Sequence, residues 1–163
     1  MTEGTEAASP DAASVPAGGE TITMLVIAGR RLRERIDSSL TPIGMTMRHV
    51  SALGHLKRQN DLSYSDLARR AGVTAQSMRA TVAHLQQLGT ISATTPGQGQ
   101  RARLELTSTG HDLLQRAHRI IAETEARTLG SLDDNTRQVL RHALPVVIAQ
   151  TADTPPPGTR PGR

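Results

Sequence analysis

Gln76 and Arg79 stand three residues apart in "TAQSMRATVAHLQQ", and each carries a planar group able to make two parallel hydrogen bonds to one planar partner. A glutamine amide can bond in this way to the edge of adenine and a guanidinium to guanine, each aligned pair giving roughly 1 to 3 kcal/mol of discrimination. Nearby, Ser65, Thr74 and Ser77 supply hydroxyl groups suited to phosphate oxygens, and Gln98, Arg101 and Arg103 follow in "PGQGQRARLEL". The chemistry these types can do is recognition of a polyanion.

Bond-making chemistry is poorly provided for. Among the six histidines, His111 and His118 lie seven residues apart on one helix face, too far for a tight ligand pair, and there is no cysteine to complete a zinc site. The absence of cysteine also excludes disulfides and a thiol redox sensor. His49, Ser51 and Asp66 include the types of a hydrolase set, but no strand-to-helix nucleophile elbow holds any serine. No catalytic residue, metal ligand or cofactor is expected.

Charge points the same way. The 163 residues carry a formal +4, unevenly spread. Residues 1–19 hold Glu3, Glu6 and Asp11 and no base, whereas residues 46–107 hold eight basic side chains against Asp61, Asp66 and Glu105. A basic centre flanked by near-neutral segments suits a polyanionic partner. The acidic, small-residue start is unlike a secretory leader, and no apolar run is long enough to cross a membrane. A cytoplasmic protein without a membrane partner is expected.

The elements that must position these side chains are helical, since hydrophobic residues make up 36% of the chain and Tyr64 is its one aromatic. Ile22, Leu25, Val26, Leu32, Ile36 and Leu40 mark a first amphipathic helix, broken by Pro42 and Gly44. Thr46 caps a second, with Met47, Val50, Leu53 and Leu56 on one stripe. Ser63 and Asp66 have capping-box spacing for a short third helix, which Gly72 stops before Thr74 caps a fourth. That spacing predicts a helix-turn-helix.

On the fourth helix Val82 and Leu85 fall within about 40° of Met78, at about 100° per residue, so these three face a core. Gln76, Ala80, Ala83 and Gln87 take the opposite side, with Arg79 beside them and no acid among them. Ile91–Thr95 and Arg101–Leu106 read as two strands around a Pro-Gly-Gln-Gly turn. A fifth helix, capped at Thr107 or Ser108, carries Leu113, Leu114, Ala117, Ile120, Ile121 and Thr124. Ser131 and Asp134 set up a sixth, with Val139, Leu140, Leu144, Val147 and Ile148 and an expected kink at Pro145. The first, fifth and sixth helices have more apolar face than one small domain can cover, which predicts a homodimer.

The order of these elements, with "GMTMRHVSALGHL", "LSYSDLARRAGVTAQSMRATVAHLQQLGTI" and "LELTSTGHDLLQRA", resembles the MarR (multiple antibiotic resistance regulator) family over roughly residues 20–150. The resemblance implies dimers with interlocked terminal helices, a fourth helix that reads double-stranded DNA, wings near the minor groove and an effector pocket between the two regions. Two features depart from the family pattern. A hydroxyl residue followed by Arg is common in mid recognition helix, where this chain has Arg79 then Ala80. The wing "GQGQRAR" lacks the usual Asp-x-Arg and is about a residue shorter. A pocket of the implied kind would draw on Met24, Arg30, Met47, His49 and His111, with Arg30 suited to a small anionic or aromatic effector and the Met side chains to an adaptable lining.

The expected fold is thus mainly α with a small β-hairpin wing. Residues 1–19 and 151–163 form tails rich in Pro, Gly, Ala and Thr, residues 46–107 a winged helix-turn-helix, and residues 20–45 with 108–150 a helical dimerisation region. The expected function is that of a ligand-responsive repressor on a pseudo-palindromic operator. The alternative is a winged-helix module for protein assembly without specific DNA binding.

Overall fold

The computed structural model describes residues 19–59, 62–94 and 102–152. Along the chain run α1 (Glu20–Leu40), a 3-10 turn (Thr41–Ile43), α2 (Met47–Arg58), α3 (Tyr64–Arg70), α4 (Ala75–Gln87), β1 (Ile91–Ala93), β2 (Leu104–Leu106), α5 (Ser108–Leu129) and α6 (Asp134–Ala152). Gln98 and Arg101, together with the Pro-Gly-Gln-Gly turn and residues 1–18 and 153–163 of the expected tails, lie outside the described residues.

Local hydrogen bonds explain where the helices start. Ser63 Oγ accepts from Asp66 N–H at 3.2 Å, Thr74 Oγ1 from Ser77 N–H at 3.1 Å and Thr107 Oγ1 from Gly110 N–H at 3.0 Å. Each satisfies a donor that has no partner inside its helix. Stops are equally local, for Gly72 (φ 63°) and Gly89 (φ 68°) take the left-handed turn after α3 and α4. At α6 the cap is Asp133 rather than Ser131. Its carboxylate accepts from Thr136 N–H at 2.9 Å and Thr136 Oγ1–H at 2.6 Å, placing two acceptor oxygens where a hydroxyl would offer one. The helix continues through Pro145 to Ala152, past the expected end at residue 150.

The core lies where α2, α3, α4, the hairpin and α5 converge. Leu53, Leu56, Leu67, Met78, Val82, Leu85 and Leu104 are fully buried there, so the core stripe read for α4 is the observed one. The strands are antiparallel with Ile91 opposite Leu106 and Ala93 opposite Leu104, and Leu62 bridges to Leu104 from the segment before α3. They are shorter than the sequence pattern suggests. Beyond Ala93 the Arg103 N–H turns to Thr94 Oγ1 (3.3 Å) instead of a main-chain carbonyl, although Thr94 N–H still donates to Arg103 O at 2.9 Å.

The apolar faces of α1 and α6 stay uncovered. Ile22, Val26, Val139, Val146 and Ile148 are each more than half exposed, a distribution that normally marks an interaction surface. Near the core, by contrast, packing is tight. A Cβ at Gly110 would lie 2.2 Å from the Thr90 carbonyl oxygen and 2.6 Å from Leu106 Cδ1. We therefore expect Gly110→Ala to cost about 1 to 3 kcal/mol, the usual range for overpacking. Urea unfolding measures it, and an unchanged midpoint would mean that α5 moves aside freely.

Candidate nucleic-acid interface

The turn between α3 and α4 has four residues, Ala71 to Thr74, and Val73 N–H donates to Ala68 O at 3.0 Å. It is held at both ends. Ser63 Oγ–H donates to Asp66 Oδ2 at 2.6 Å and Arg69 pairs with the other oxygen, so the Ser63 hydroxyl first, then the Ser63 main chain and the Arg69 guanidinium, hold the Asp66 carboxyl below its usual range. Thr74 caps α4, and its hydroxyl also donates to Ser77 Oγ at 3.0 Å.

With that start fixed, Gln76, Arg79, Ala80, Ala83 and Gln87 are exposed along α4. No acidic side chain lies on this helix. The face is therefore free of repulsion toward phosphate and carries two groups that can read base edges. Ser65 is exposed in the first turn of α3, and Arg103 is exposed just before β2. Ser77 is only partly exposed, and both its amide and its hydroxyl are engaged by Thr74.

Two clefts adjoin this unit. One, of about 540 Å³, lies between α1 and α2 and is lined by Leu32, Arg33, Ile36, Met47, Arg48 and Val73 among others. The next, of about 500 Å³, adds His49 to Arg33, Asp37, Arg48 and the residues Ser77, Ala80 and Thr81 of α4. Met47 and His49 thus border these clefts. Met24, Arg30 and His111 line neither; all three are exposed, and Arg30 sits 3.9 Å from Glu34 on its own helix. Arg33 and Arg48, which line both clefts, were not singled out from the sequence. The only available signal is that Arg33 directly follows Leu32 on the stripe that faces α2.

His49 does more than line a cleft. Its Nδ1 accepts from Thr46 N–H at 3.0 Å, closing a capping box at the start of α2. Its ring stacks on His84 of α4 at 4.7 Å between centroids, and His84 Nε2–H donates to Gly44 O at 2.8 Å. Burial first, then the His84 and Arg48 charges, push the His49 pKa down, with Asp37 opposing.

Comparison with known proteins places this geometry. A model of the MarR family matches residues 43–102. The HTH-type transcriptional repressor Rv2887 of Mycobacterium tuberculosis is 30% identical over 110 residues, 67% of this chain and 79% of that protein. The crystal structure of Rv2887 in complex with DNA is similar at 27% identity and a TM-score of 0.68, covering 82% of this chain and 98% of that one. Its complex with salicylic acid is similar at 26% identity and a TM-score of 0.64, covering 83% and 99%.

Because Thr74 fixes where α4 begins, Thr74→Ala is expected to lower stability by about 1 kcal/mol and Thr74→Ser to recover most of it. Equal unfolding free energies for the Ala variant and the parent would show the cap to be dispensable.

Proposed function

The chain belongs to the MarR family of transcription regulators, and we propose that it is a ligand-responsive repressor that binds a pseudo-palindromic site in double-stranded DNA as a homodimer. The observation that carries this reading is the exposed, acid-free face of α4, with Gln76 and Arg79 on a helix anchored at Thr74. In this reading residues 46–107 are the DNA-binding region. Residues 20–45 and 108–150 pair with a second copy, which covers the apolar faces of α1 and α6. Ser65, Thr74 and Ser77 contact phosphate, as does Arg103, and Gln98 and Arg101 add to that contact.

No catalytic step is needed, and the protein acts on DNA in the cytoplasm. Among the described residues no helix is long and apolar enough to cross a membrane. For the effector we favour a small aromatic carboxylate, the class to which the salicylic acid bound by the relative belongs. The cleft between α1 and α2 supports it, with Leu32, Ile36, Met47 and Val73 as the apolar wall and Arg33 and Arg48 as the cations. Such a ligand would act by changing the spacing of the two recognition helices.

Selection of bound fragments from genomic DNA tests the reading, with one sequence pattern expected in the recovered pool. A protein that dimerises yet enriches no sequence would instead be an assembly module. Against a recovered duplex, Arg79→Ala should cost roughly 1 to 3 kcal/mol and relax the base preference at one position of each half-site. An equal loss on random duplex would assign Arg79 to phosphate. Sedimentation should give a dimer, and a stable monomer at micromolar concentration would remove the proposed interface.

A further inference from the structure

We propose that the His49–His84 stack is an acid-sensitive latch: protonating His49 lets α4 part from the α1–α2 turn, and affinity for specific DNA falls. The inference rests on α4 being the DNA-reading helix, as argued above.

The geometry joins three elements through two rings. His84 is on α4, yet its Nε2–H reaches Gly44 O, forty residues earlier, in the turn that leaves α1. His49 stands at the third position of α2, holds Thr46 N–H on Nδ1 and stacks on His84. The latched arrangement therefore requires a lone pair on His49 Nδ1. An imidazolium has none, because both of its nitrogens are donors. Protonation would turn the Thr46 N–H bond into a clash of two donors and free that amide, and the ring would have to turn toward Thr46 Oγ1, 3.2 Å away, to place its new proton.

The surroundings oppose a cation at this place. From α1 the cleft presents Arg33 and Asp37 and from α2 Arg48, while His84 of α4 stacks on the ring. Asp37 is the one carboxylate, and its Oδ1 is already occupied by Met47 N–H at 2.6 Å. The first turn of α2 adds the positive end of a helix dipole. Charge on either ring would also be felt by the other across 4.7 Å.

The sign follows from linkage. Folded packing lowers the His49 pKa from its ordinary value of 6.5, so the released state binds a proton more readily than the latched state. The latch is then at full strength above about pH 6.5 and weakens as pH falls through the lowered value. Each unit of separation between the two states is worth about tenfold in the latch equilibrium.

The test compares the parent protein with His49→Gln, which retains a side-chain acceptor in a Thr-x-x-Gln capping box but cannot titrate. Fluorescence anisotropy is read from pH 7.5 to 5.5 at constant ionic strength, on a duplex recovered by genomic selection and on a random duplex of equal length. The random duplex reports the general effect of charging histidines near phosphate. The parent's ratio of specific to random affinity should fall steadily as pH drops over that range, and that of His49→Gln should stay flat. Equal losses overturn the latch. In parallel, NMR follows the histidine rings and the α4 amides of the parent without DNA. His49 should titrate below the ordinary midpoint, with the amides of Arg79–Leu85 shifting along the same curve. Still amides, or an ordinary His49 midpoint, overturn the latch. If selection enriches no duplex, the reading of α4 fails, and the NMR result still decides whether the latch exists.

Discussion

No side chain fits at Gly110, because the Thr90 carbonyl oxygen occupies the space a Cβ would need, and that close approach sets the relation between α4 and the rest of the molecule. Thr90 follows the left-handed Gly89 at the end of α4 and opens the run into β1. Its hydroxyl donates to Leu85 O at 2.7 Å, and its carbonyl accepts from Thr107 N–H at 3.1 Å. Thr107 in turn donates its hydroxyl to Gly89 O at 2.7 Å while accepting from Gly110 N–H. The end of α4, the base of the hairpin and the start of α5 are thus tied by directional bonds over a few residues. Bonds of this kind do not slide as apolar contacts can. A rotation of α5 must carry α4 with it or break them.

The same constraint explains the division of labour among the helices. With one aromatic residue in the chain, the core is filled by Leu, Met, Val and Ala, and α3, with seven residues, has no independent stability. It is held by Leu67 and Ala68 in the core and by its cap. α5 is long enough to enter that core at Leu114 and Ala117 and still continue beyond it. There it meets α1, where Thr124 Oγ1 donates to Ser39 Oγ at 3.1 Å and Arg35 donates to Thr128 Oγ1 at 3.3 Å. The helix is a lever whose inner end is fixed to the hairpin and whose outer end meets α1, one of the two helices with an uncovered apolar face.

What could be read from sequence divides along the same line between local and distant interactions. The caps at Thr46, Ser63, Thr74 and Thr107 were legible because each bond closes within three residues, and the core stripe of α4 because 3.6-residue periodicity is a property of one helix. Misplacing the α6 cap at Ser131 was an error of two residues between candidate side chains. His49 as partner in a capping box was invisible, since the known pattern names Glu or Gln at that position. The His84–Gly44 bond and the Thr124–Ser39 contact join residues forty and eighty-five apart, and no periodicity reports such pairs. For the same reason Met47 and His49 could be named as pocket candidates while Arg33 and Arg48 could not. Which helix face meets a neighbour depends on packing, and Met24, Arg30 and His111 turn elsewhere.

The two proposed inputs to this molecule share their charges. Arg33 and Arg48 line both the cleft offered to an anionic ligand and the cleft that holds His49, and Arg48 is one of the causes that lower the His49 pKa. An anion between those guanidinium groups would offset part of the field that opposes a proton on His49, so a bound anion favours the imidazolium. Coupling free energies are reciprocal, and acid must then tighten the anion by the same factor. That trend is opposite to the one produced by an anion losing its own charge, which weakens binding as pH falls. Ligand and proton would thus release α4 together, because the anion would sit beside Arg48, whose charge opposes the proton on His49.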